Sequence, residues 1–278
     1  MTAPYLALGL AGTHLTELTG SRELLARWDA LPLAFTVLGI DRVDGSPPAG
    51  STVDSSAAGA VLAGRTTGGR FLIAASPQRD HPYNLARRVA SLGHLSRGRS
   101  GLLAGVRDAY APGESSAARA RAAVEAVRAL EQSWPYDSVV GDRETGILVR
   151  SNEIVHVDLA GEFAIAGPLN APEPPTGASV IAWYGPDAPP ADLVLGGASV
   201  VVVPLDRQPP RDVTGVVLRA EPGHSVGEVL SAAETLLSQG FRPIRPGEPL
   251  RSALGLAAPP RRPGGRPAFP VPQPQPSL

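Results

Sequence analysis

Five histidines, His14, His81, His94, His156 and His224, are the first candidates for proton transfer or metal ligation in a chain without cysteine or lysine. No two of them stand four apart or at another zinc-ligand spacing, so the pattern gives no metal centre. Gly223-His224-Ser225-Val226-Gly227 matches the G-x-S-x-G elbow that presents a nucleophilic serine between a strand and a helix. Three features oppose a hydrolase. Glu221-Pro222 breaks the strand that the elbow needs, no histidine follows Ser225, and Ser225-x-x-Glu228 is a capping box that explains the serine as a helix start. Gly9-x-x-Gly12 lacks the rest of a dinucleotide fingerprint. His14 and Asp41 remain. Each follows a short apolar run, and the C-terminal rim of an α/β barrel is where catalytic groups gather. Each also has a bland alternative: a loop histidine bonded to solvent or backbone, and a turn-forming aspartate.

The elements that would position them alternate along the chain. Tyr5 to Leu10, Leu33 to Ile40 and Phe71 to Ala75 are short apolar runs, consistent with strands covered on both faces. Between them, Ser21 to Leu31 reads as a helix with Ser21 as its N-cap, and Val53 to Arg65 as a second. After Asn84, Leu85, Ala86, Val89, Leu92 and Leu95 form a helical stripe. Gly98 and Gly101 end it, and Leu102 to Val106 opens another strand, so Arg70 to Arg107 is a βαβ unit. Ser115 to Trp134 and Ser225 to Gln239 read as further helices. The span from Pro135 to Pro175 is irregular, with strand-like pieces at Gly146 to Arg150 and Ile154 to Leu159. Strands follow at Ser179 to Tyr184, Ala198 to Pro204 and Val213 to Arg219, but the links between them are too short for crossover helices, which need about a dozen residues.

A formal charge of −1 gives no electrostatic case for nucleic acid or an anionic membrane. No stretch approaches the roughly 20 apolar residues of a membrane span. The N-terminus has no basic n-region, so a cytoplasmic protein is expected. Residues 257–278 are Pro-rich and are expected to be disordered or polyproline-like.

The central unit also carries a resemblance. H-P-Y-N-L-A-R at 81–87 and S-L-G-H-L-S-R-G-R-S-G at 91–101 resemble the signature of the bacterial-luciferase-like flavin-dependent monooxygenases. The branch is that of the nitrilotriacetate, long-chain-alkane and dibenzothiophene-sulfone enzymes. L-A-L-G-L-A-G-T-H at 6–14, A-F-T-V-L-G-I-D at 34–41, V-H-V-D-L-A-G-E-F-A-I-A-G-P-L at 155–169 and the closing stretch at 239–256 resemble further family motifs in the same order.

The resemblance implies a TIM-type (β/α) barrel over residues 1–256. It would be reduced or incomplete, lacking late helices and the last strand, with an irregular insertion before the fifth strand. It implies a monooxygenase that takes reduced FMN from a separate reductase and oxidises a small organic substrate. His14 falls on the family's active-site histidine, with Asp41, Ser76, Tyr83 and Asn84 around the flavin ring and Arg87 bracing the barrel. A homodimer, or a heterodimer with a full-length homologue, is expected. The departures point the other way. Leu103, Val106 and Arg107 replace polar flavin contacts, and Pro77 and Gln78 replace threonines. Tyr184-Gly185-Pro186-Asp187-Ala188-Pro189-Pro190 replaces a Gly-Ser-rich phosphate loop that would open a helix. Weakened FMN binding is the expectation, and a non-catalytic homologue serving as partner subunit or scaffold is the alternative.

Overall fold

Strand β1 (Tyr5–Leu10) is buried along its whole length, and its alternating side chains feed two cores. Leu6, Leu8 and Leu10 join the layer between strands and helices, while Tyr5 and Ala7 join the barrel interior. The alternation repeats in β3 (Phe71–Ala75), with Phe71 and Ile73 outward and Leu72 and Ala74 inward. This is why such strands read as continuous apolar runs. The computed structural model describes residues 3–46, 50–185, 191–261 and 264–273.

The remaining strands are β2 (Thr36–Leu38), β4 (Ser100–Ala104), β5 (Val180–Tyr184), β6 (Leu193–Leu195), β7 (Val200–Pro204) and β8 (Gly215–Arg219). All eight pair in parallel in the order β6-β5-β4-β3-β2-β1-β8-β7. Across the seam between β6 and β7 the Gly196 N–H donates to the Val200 carbonyl at 2.9 Å. The result is a nearly closed TIM-type barrel. The expectation of a missing last strand is corrected: β6, only three residues long, lies in the stretch read as a bare link and completes the set of eight.

Helices α1 (Gly12–Gly20), α2 (Arg22–Ala30), α3 (Ser55–Arg65), α4 (Pro82–Ser96) and α5 (Ala117–Glu131) follow the first four strands. Helices α6 (Val226–Ser238) and α7 (Leu250–Ala253) follow β8. Among the described residues no helix follows β5, β6 or β7. Local chemistry sets the ends. Asp54 accepts from the Ser56 N–H at 2.9 Å, Ser116 from the Arg119 N–H at 3.1 Å, and Ser225 and Glu228 form the expected capping box. Two readings shift. Gly101 lies inside β4, paired with Leu72 and Val180, where a Cβ would come within 2.5 Å of the Val180 carbonyl oxygen. Leu95 leaves the buried stripe of α4 and stands 58 % exposed.

Between α5 and β5 the insertion holds two 3-10 turns (Tyr136–Ser138 and Ser151–Glu153) and isolated bridges in place of the two strand-like pieces. The described part of 257–273 runs beside it: the His156 N–H donates to Arg266 and the Ala268 N–H to Ile154. No helix among the described residues is long and apolar enough to cross a membrane.

Candidate active site at the barrel rim

Three of the sequence-derived candidates meet at the C-terminal ends of the strands. Asp41 sits on a 3-10 turn (Ile40–Arg42) entered through Gly39, whose φ of 75° lets the chain reverse directly after β2. Its Oδ1 accepts from the Gly12 N–H at 2.9 Å, at the start of α1, where a carboxylate is favoured by the helix dipole. Its Oδ2 accepts from the Tyr110 hydroxyl at 2.5 Å. His14 lies in the first turn of α1 and is 2 % exposed. Its Nδ1 accepts from the Ala11 N–H at 3.1 Å, so the ring proton is on Nε2, which donates to the His224 carbonyl at 3.0 Å. Ser76, fully buried at the end of β3, donates to the Val106 carbonyl at 3.0 Å and accepts from the Gln78 N–H at 3.3 Å.

Tyr83 and Asn84 are not brought to the same point. Both lie on the first turn of α4; the Tyr83 hydroxyl donates to the Pro168 carbonyl at 3.4 Å, in the insertion. Asn84 is exposed and lines, with Arg87, a groove of about 420 Å³ between α3 and α4, outside the barrel.

Over the mouth lies a charged clasp that no motif in the sequence announces. Arg42 donates from Nε to Asp108 Oδ2 at 3.1 Å and from Nη2 to the same oxygen, and pairs with Asp54 at 3.2 Å and Asp80 at 3.6 Å. Burial alone would pull this guanidinium down; the Asp108 hydrogen bond and charge, with Asp80 and Asp54, outweigh it and hold the group above the usual arginine value. Arg219, the last residue of β8, bonds Asp44, Ser46 and Glu221. The available signal was position: Arg42, Asp108 and Arg219 each stand at or just beyond a strand's C-terminal end.

Under this clasp the mouth is filled. A Cβ at Gly9 would lie 2.8 Å from Ile40 Cδ1, and one at Gly105 would lie 2.6 Å from Val43 Cβ. Both side chains belong to the interior core. Beside the mouth runs a groove of about 580 Å³ lined by Arg42, Ser46, Gln78, Arg107, Asp108 and Ser115 among others. Gln78 shapes it, donating to the Ala111, Pro112 and Gly113 carbonyls and accepting from the Asp108 N–H. The expected phosphate-loop replacement falls mostly on residues 186–190, outside the described residues; Gly185 donates its N–H to Leu195 at 3.1 Å.

This architecture has relatives. The family model for luciferase-like monooxygenases matches residues 34–205. A pristinamycin IIA synthase chain of Streptomyces pristinaespiralis, one subunit of that enzyme, is 34 % identical over 219 residues, covering 73 % of this chain and 77 % of that protein. The chain belongs to the luciferase-like monooxygenase family. Nitrilotriacetate monooxygenase component A of Aminobacter aminovorans is 33 % identical over 134 residues, but that match covers 44 % of this luciferase-like chain and only 30 % of the relative. Among solved structures, EDTA monooxygenase (EmoA) from Chelativorans sp. BNC1 superposes with a TM-score of 0.55 at 21 % identity, over 87 % of this chain and 67 % of that one.

The family implies a flavin, and the mouth in this conformation does not fit one. The ring nitrogens of His14, the carboxylate oxygens of Asp41 and the hydroxyl of Ser76 already have partners within the chain, and Ile40 and Val43 fill the opening. A flavin seated over the strands would have to displace the Ile40 and Val43 side chains.

Proposed function

We propose that this chain is a component of a two-component, reduced-FMN-dependent monooxygenase acting on a small organic substrate, with flavin delivered by a separate reductase. The support is family membership together with one observation: His14, Asp41 and Ser76 converge on the strand ends where such a barrel does its chemistry. In this reading His14 serves substrate chemistry, Asp41 and Ser76 border the flavin ring, and Tyr83 and Asn84 stay at the margin of the site. Flavin binding is weak, because seating it costs the packing of the Ile40 and Val43 side chains in the mouth. A cytoplasmic setting, and a homodimer or a heterodimer with a longer homologue, go with this reading.

A second reading is favoured by the filled mouth and by the relative's standing as one chain of a synthase. In it the chain is a non-catalytic partner. Titration with oxidised and reduced FMN, followed by flavin fluorescence, separates the two. The first reading expects saturable binding of reduced FMN, weaker than micromolar, that tightens when Arg219→Ala loosens the clasp. No binding of either redox form up to millimolar flavin, in wild type and variant alike, sinks it and leaves the non-catalytic partner.

A further inference from the structure

The groove beside the mouth is lined by four charged side chains of two kinds. Arg42 and Asp108 are spent on each other: Oδ2 of the carboxylate takes two hydrogen bonds from the guanidinium, and Oδ1 accepts from the Tyr110 N–H at 2.9 Å. Arg107 and Glu114 are exposed, and neither has a hydrogen bond or ion pair with any of the described residues. Ser115, half-buried, lines the same groove, and its Oγ is shut off from water without a hydrogen-bond partner. A hydroxyl left in that state costs stability until something pairs with it.

These three unused groups stand on a fixed frame. Between Arg107 and Glu114 the chain is tied down by Gln78, which donates to the carbonyls of Ala111 at 3.2 Å, Pro112 at 3.3 Å and Gly113 at 2.7 Å. Its Oε1 accepts from the Asp108 N–H at 2.9 Å. A loop held in this way gives up little freedom when a ligand arrives. The Arg107 guanidinium offers paired N–H donors that match the two oxygens of a carboxylate. Glu114 offers acceptors to an ammonium. A ligand with negative charge alone would meet Glu114, and one with positive charge alone would meet Arg107. A ligand carrying both signs satisfies both. The groove adjoins the reaction rim, because Gly105, two residues before Arg107, packs against Val43 in the mouth.

We propose that this groove is the subsite that selects the organic substrate, and that it selects a zwitterion. The carboxylate lies on Arg107 and the Ser115 hydroxyl, and the ammonium on Glu114. The inference rests on the monooxygenase reading for the reaction but not for the binding.

Isothermal titration calorimetry of the full chain tests it, with 4-aminobutyrate and 6-aminohexanoate set against butyrate and butylamine. At least one zwitterion is expected to bind about tenfold tighter than either singly charged probe, and Arg107→Gln and Glu114→Gln are each expected to remove about that factor at an unchanged melting temperature. Zwitterions that bind wild type no better than butyrate and butylamine overturn the proposal, and that comparison needs no variant. So does zwitterion binding that survives both substitutions. Inorganic phosphate and FMN are titrated alongside: if Arg107→Gln loses these and keeps the zwitterion, Arg107 holds a phosphate and the proposal is overturned. Zwitterion binding without flavin binding supports the subsite and sinks the monooxygenase reading; flavin binding without zwitterion binding does the reverse.

Discussion

The imidazole of His14 donates from Nε2 to the backbone carbonyl of His224, 3.0 Å away and 210 residues on in the chain. With Nδ1 accepting from the Ala11 N–H, the ring joins the start of α1 to the loop after β8, the strand that pairs with β1. His14→Ala leaves a buried N–H and a carbonyl without partners and opens a cavity. The expected loss is about 2–3 kcal/mol in urea unfolding. A loss near zero would mean that the ring contributes nothing to closing the barrel.

Asp41 and Tyr110 make the second join, between the turn after β2 and the loop after β4. Asp41→Ala removes the acceptor of this hydrogen bond and Tyr110→Phe removes its donor. A double-mutant cycle is expected to give a coupling of about 1–2 kcal/mol. Additive single effects would show that the short contact carries no stability of its own.

Much of this arrangement was legible in the sequence, and the reasons differ by residue. The strands could be read because both faces are covered, so Leu6, Ala7 and Leu8 are all apolar. The cap at Ser225 could be read because capping uses local spacing. β6 could not: three residues, Leu193 to Leu195, are too few to show a period, and what makes them a strand is pairing with β5. Helix α1 was also missed, since A-G-T-H-L-T-E-L has weak helix formers and its start is secured by Asp41, distant in sequence. His14 and Asp41 could be placed at the rim from strand ends alone. That their polar atoms are taken up within the chain depends on His224 and Tyr110, which no spacing rule connects to them.

Arg42 is enclosed by three aspartates, with its side chain 7 % exposed. Arg42→Met would leave Asp108 buried without its cation, while Asp80 keeps its ion pair with Arg88 at 2.8 Å, at a cost of about 3–5 kcal/mol. Lysine keeps the charge but not the fork that reaches Asp108 twice, so Arg42→Lys should also destabilise, by less. Because the pair is buried, the loss should change little between low and high salt. Thermal melts of both variants at two ionic strengths check each part.

Glu131, the last residue of α5, is buried completely. Its Oε1 accepts from the Ser179 N–H at 3.0 Å and hydroxyl at 2.5 Å, while Oε2 has no hydrogen-bond partner and Arg128 stands 3.7 Å off. Burial pushes the carboxyl above the usual glutamate value, and Arg128 and Ser179 offset this only in part. The folded state therefore binds the proton more tightly than the unfolded chain does. That stabilisation is complete below the ordinary glutamate value and is lost as pH rises through the raised one. Glu131→Gln resembles the protonated form at every pH. It should melt near wild type in acid and above wild type at neutral and mildly alkaline pH, the gap opening between the ordinary and the raised value. A pH series of thermal melts decides. A glutamine variant that melts below wild type on the alkaline side would show instead that the carboxylate stays ionised, held by Arg128.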